Sequence, residues 1–123
     1  MTTNKQSAID FLALVIAGSI DEAYEKHVAM EGKHHNIYFP PGFSILKQAM
    51  KDDHSQHPNK IFSVKHALED GDMVAVHSHL SFDAKSAGFA VTHLFRFEAG
   101  RIIEMWDCVM QLSAESPNTD GAF

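Results

Sequence analysis

The sequence predicts an α+β fold, a cone-shaped α+β barrel in which three N-terminal helices pack in a strongly curved mixed or antiparallel sheet. Two patterns carry that reading. Apolar residues in the first half recur every three or four positions, the helical period. Four long runs between Ile61 and Leu112 read instead as strands, separated by turn signals that include glycine. Helices followed by hairpins give an α+β layering, and long strands curling over a helix leave a conical cavity. The 123 residues are read as one domain, 1–123, because no repeat, linker or low-complexity tract interrupts them.

The first helix spans about Lys5 to Ala17, and Gly18 ends it, since glycine accepts the left-handed conformation of a helix C-terminus. Ser19 begins a second helix to about Ala29, with Glu22 completing a capping box and Ile20, Ala23, Tyr24, His27 and Val28 on one stripe. Gly32 ends that run. Residues His34–Phe39 read as extended, because Pro40 and Pro41 forbid a helix there. A third helix opens after Gly42 and covers Phe43 to His54. The strands are Ile61–Leu68, Met73–Phe82, Phe89–Phe97 and Ile102–Leu112, with turns at Glu69–Asp72 and Glu98–Arg101. From about residue 113 to 123 the chain is a polar tail.

Composition narrows the function. With 45% hydrophobic and 21% charged residues the chain has an ordinary globular balance. Its net charge of −6 repels phosphate backbones, so no nucleic-acid partner is expected. No apolar run reaches the length of about 18 residues that a membrane helix needs, so no membrane partner is expected either. Phe11–Ala17 is apolar but short and flanked by Asp10, Asp21 and Glu22. It reads as a buried helix rather than a leader, and the expected location is cytoplasmic. The single cysteine, Cys108, fits a reducing compartment. Nine histidines are the unusual feature, since full protonation would carry the net charge from −6 to +3.

Gly71-Asp-Met-Val-Ala-Val-His77 and Leu94-Phe-Arg-Phe-Glu-Ala-Gly-Arg-Ile-Ile-Glu-Met-Trp-Asp107 carry a family likeness, and His35-Asn36 ahead of a proline loop adds to it. Through these residues the chain resembles the SnoaL-like polyketide cyclase family of the nuclear transport factor 2-like superfamily, from about Ala8 to Gln111. The resemblance implies the cone fold, but members include cyclases, isomerases, dehydratases, hydrolases and binding modules. This chain departs from common members in having His93 where many carry Asp, and Met105 where many carry His. Steroid isomerases use a protonated aspartic acid at the former place and a catalytic aspartate near His35 or Asn36, and this chain lacks both.

The candidate catalytic pair is Asp107 with His93. Side chains alternate along a strand, so Val91, His93, Phe95 and Phe97 share one face and Met105, Asp107 and Val109 another, joined through the Ala99-Gly100 turn. The resemblance turns both faces to the cavity and implies a comparable His and Asp in aklavinone-type cyclases. Asp107 is then a general acid/base and His93 its partner or the stabiliser of an enolate oxygen, the two within about 2.6–3.2 Å or one water of each other. His35, Asn36, His77, His79, Phe95 and Met105 are the candidate substrate contacts. Only His35, or His34 together with Asn36, can look inward, because neighbours point opposite ways. His77-Ser-His79 could present two metal ligands, but such spacing arises by chance among nine histidines and relatives work without metal, so no metal is expected. No glycine-rich phosphate loop or nucleophile elbow is present, so no cofactor is expected. The expected ligand is a small hydrophobic carbonyl compound. The alternative is a non-catalytic binding or dimerisation module. Trp106 faces away from Asp107, and relatives pair through that sheet face, so a homodimer is expected.

Overall fold

A computed structural model describes residues 2–123. The order of elements is α1 (Asn4–Ile16), α2 (Ile20–His27), β1 (Val28–His34), α3 (Phe43–Gln56), β2 (Ile61–Asp70), β3 (Met73–Ser81), β4 (Phe89–Glu98) and β5 (Arg101–Gln111). The five strands form one mixed sheet in the order β1-β5-β4-β3-β2, antiparallel except for the parallel β1–β5 pair. The α+β class and the three helices packed on a mixed sheet are as expected; the sheet has a fifth strand, β1, and is left open rather than closed into a barrel.

Helix α1 starts with a reciprocal capping box between Thr3 and Gln6 and ends before Gly18, whose φ of 86° only glycine adopts without strain. Its buried residues Ala8, Phe11, Leu12 and Val15 lie against the sheet. Phe11 meets Tyr24 and Phe95 edge to face, with ring centroids 5.4 and 5.9 Å apart. Tyr24 continues the stack to Phe43 of α3. These rings, with Leu46, Val74, Val76, Ile102 and Met105, fill the space between helices and sheet.

Two local expectations are corrected. Ser19 makes no capping bond, because its φ and ψ of −86° and 55° lie off the extended geometry that aims a cap at the helix. Asp21 and Glu22 still favour that helix start by sitting in its first turn. The second helix stops at His27, and Val28–His34, read partly as helix, is a strand. Pairing of Val28 with Ile102 and His34 with Met105 overrides the helical preference of Ala29-Met30-Glu31. His35–Phe39 is accordingly a turn leading to the prolines rather than a strand.

Candidate functional site

The helices leave part of the inner sheet face unfilled, forming a cavity of about 440 Å³. Its walls are mostly apolar: Leu12 and Val15 of α1, Leu46 and Met50 of α3, Phe62 of β2 and Val91 of β4. Tyr38 and Phe39 lie at its edge, and Tyr38 is largely exposed. The polar groups are Asn36, His93 and Asp107, together with Asp53 and Lys60. A concave apolar space with a few convergent polar groups is the usual form of a small-molecule site.

His93 and Asp107 are directly paired across β4 and β5 and both line the cavity. His93 Nε2 lies 4.0 Å from Asp107 Oδ1, beyond hydrogen-bond reach, so the two side chains are neighbours without direct contact. The histidine lies over Phe95 with ring centroids 5.8 Å apart, and its Nδ1 has no hydrogen-bond partner. Burial holds its pKa below the ordinary value, a tendency that the nearby Asp107 charge opposes. His93 is therefore a neutral imidazole with one N–H to offer. Burial, reinforced by Asp107, also pushes Tyr24 upward and keeps it a neutral phenol, and its hydroxyl lies 3.3 Å from Met50 Sδ.

Asn36 takes the place expected of His93. Its Nδ2 donates to Asp107 Oδ2 at 2.7 Å, while its Oδ1 accepts from the Tyr38 backbone N–H at 3.0 Å. The second bond decides which end of the amide faces the carboxylate. His34 secures the same turn, donating from Nε2 to Pro40 O at 2.9 Å and accepting from Asn36 N–H at Nδ1. The pairing His34 with Asn36 is thus the one that faces inward.

Residues 8–116 match the SnoaL-like polyketide cyclase family. The chain belongs to that family. Among solved structures, a SnoaL-like polyketide cyclase from Agrobacterium tumefaciens superposes with a TM-score of 0.72 at 19% identity, over 89% of this chain and 93% of the other. A SnoaL-like protein from Burkholderia thailandensis gives 0.72 at 18%, over 89% and 98%. A cystatin-fold protein from Novosphingobium aromaticivorans gives 0.73 at 16%, over 88% and 99%. At these identities the likeness is one of fold. No curated protein matches the sequence.

In this SnoaL-like chain Asn36 alone of the six expected contacts lines the cavity; three of the others face outward and two are packed in the core. His35 faces the outer side, where Nε2 lies 2.6 Å from Glu104 Oε2 and the ring stacks on Trp106 at 5.0 Å. His77 and His79 are outward too, because Val74, Val76 and Ser78 take the buried positions of β3. His77 Nδ1 pairs with Thr92 Oγ1 at 2.8 Å, and His79 donates to Ala87 O at 2.8 Å. Phe95 and Met105 do point inward but are fully buried in the packed core rather than lining the cavity. Among the described residues no three His, Cys, Asp or Glu side chains converge on a metal-sized site. Asp53 and Lys60 were missed. Strand parity could have found Lys60, which lies two positions before the inward Phe62.

Proposed function

We propose that this SnoaL-like chain is a cofactor-independent enzyme that moves a proton at carbon next to the carbonyl of a hydrophobic compound. The observation that carries the reading is the Asp107 carboxylate in an apolar cavity, with Oδ2 held by Asn36 and Oδ1 turned toward a neutral His93. Asp107 takes the proton as the C–H bond breaks, and the electron pair moves onto the carbonyl oxygen. The N–H of His93 donates to that oxygen as its charge develops, and a water-poor surround strengthens the interaction. Asn36 keeps the base aimed. Protonated Asp107 can then return the proton to another carbon, giving isomerisation. The enolate can instead attack a second carbonyl, whose new alkoxide takes the proton back from Asp107, giving aldol cyclisation, or expel a β-hydroxyl that leaves as water with that proton, giving dehydration.

The test is deuterium exchange into the methyl group of 2-acetylnaphthalene in D2O, followed by proton NMR. Asp107→Asn should slow exchange by about 10²–10⁴-fold while leaving affinity nearly unchanged. Equal exchange in that variant would sink the assignment. Binding without any exchange by the unaltered protein would favour a binding module instead. A homodimer across the outer face, where Trp106 stacks on His35 and Met110 is exposed, belongs to the same proposal, and light scattering on the purified chain measures it.

A further inference from the structure

The cavity has a second polar pole that the proton-transfer reading leaves unused. Lys60 precedes β2, and its ammonium pairs with Asp53 in the last turn of α3. The two differ sharply in solvent access: the Lys60 side chain is 8% exposed and that of Asp53 42%. Among the described residues Asp53 is the only hydrogen-bond partner of Lys60 Nζ, so two of its three N–H donors have no protein acceptor beside a mostly apolar space. A buried ammonium is costly unless its donors meet acceptors, and preferably a charge of opposite sign. Asp53 can be solvated when its partner turns away. The Lys60 side chain is mostly removed from bulk solvent, so an anionic group reaching it from the cavity is its best-matched partner.

The pole lies far from His93 along the sheet. His93 stands opposite Val76 of β3, whereas Lys60 lies one residue beyond the Ile61–Ser81 pair. From Val76 to Ser81 is roughly 16 Å of strand at about 3.3 Å per residue. Phe82 and Phe89, in edge-to-face contact at 5.6 Å, line the cavity beside the Lys60 end.

We infer that Lys60 anchors a carboxylate, so that the cavity takes elongated apolar keto acids with the carbonyl at Asp107 and the acid group at Lys60. This rests on the proton-transfer reading for the orientation of the ligand and adds its substrate class. The probes are 6-acetyl-2-naphthoate and its methyl ester, titrated by calorimetry. The unaltered protein should bind the acid about tenfold tighter than the ester, as a charge-assisted hydrogen bond allows. Lys60→Met should erase that preference with ester affinity unchanged. Asp53→Asn, which keeps the ammonium and removes its competing carboxylate, should tighten the acid and spare the ester. Should Lys60→Met bind neither probe, Asp53→Asn decides alone.

Equal affinity for acid and ester in the unaltered protein, failure of both to bind, or a preference that survives Lys60→Met overturns the inference. So does Asp53→Asn weakening both probes alike, which would make the pair only a tie between α3 and β2. Deuterium exchange at the acetyl methyl is read in the same samples. Exchange without acid preference defeats the anchor alone, and acid preference without exchange defeats the proton-transfer reading alone.

Discussion

Asn36 and Asp107 are separated by 71 positions in the chain and by 2.7 Å between Nδ2 and Oδ2. The first sits in the turn after β1 and the second in the middle of β5, and the parallel pairing of those strands brings them together. Asn36 is in turn held by the Tyr38 and His34 contacts, so the carboxylate's orientation is set by a loop rather than by its own strand. Asn36→Ala should lower exchange about 10–100-fold and change probe affinity little, while folding stability falls by about 1 kcal/mol. Unchanged exchange would show that Asp107 needs no support from that amide.

His93 gives stability a pH dependence of known sign. Its folded pKa lies below the ordinary value because it is buried, so between the two values the unfolded chain binds the proton and the folded chain does not. Stability from this group is full above about pH 6.5 and is lost as pH falls from there, by up to about 1.4 kcal/mol per pH unit. Urea unfolding of the unaltered protein and of His93→Gln from pH 7.5 to 5 should therefore converge as the pH drops. Parallel curves would contradict a neutral buried imidazole.

Glu104 works in the opposite electrostatic setting. His35, Arg96 and Lys33 hold its carboxyl below the usual range, with the 2.6 Å contact to His35 the largest influence. A lowered carboxylate pKa contributes stability above the unfolded value, about 4.3, and that contribution disappears as pH falls through the folded value. The melting temperature of Glu104→Gln should lie below that of the unaltered protein at pH 6, and the gap should close by about pH 2–3. A gap of constant size would assign the effect to packing.

Gly32 allows β1 to approach β5. A Cβ built there would lie 2.1 Å from Ile103 O and 2.8 Å from a Phe43 ring carbon, and the carbonyl belongs to backbone that cannot step aside. Gly32→Ala should cost about 1–3 kcal/mol, seen as a lower urea midpoint at unchanged slope. It should slow exchange as well, since β1 carries the turn that holds Asn36. A variant as stable as the unaltered protein would mean that the strands can separate at this point.

Local periodicity made most of the fold legible. α1, α3 and the four strands from Ile61 onward show the helical or alternating pattern within their own residues, and their observed ends lie within about two residues of the expected ones. β1 was not legible in this way, because its partner is the distant β5 and its own Ala29-Met30-Glu31 favours helix. Parity across one short hairpin set His93 and Asp107 on their strand faces, the family resemblance turned those faces inward, and both residues line the cavity despite the irregularity between Arg96 and Phe97. His77 and His79 drew attention by chemical type, although Val74 and Val76 already mark the other face of β3 as the buried one. Asn36 was marked as a ligand contact. Its bond to Asp107 depends on a turn built around Pro40, which no periodicity describes.

The parallel pairing of β1 with β5 also governs when the cavity can exist. The β2–β3, β3–β4 and β4–β5 hairpins close short loops and can form as neighbours in the chain. The β1–β5 contact must close a loop containing α3 and all three of the other strands, and that loss of chain entropy comes before any of its bonds are made. On a ribosome, Asn36 would emerge long before the carboxylate it holds. The base is thus oriented only after β5 has been synthesised and has docked.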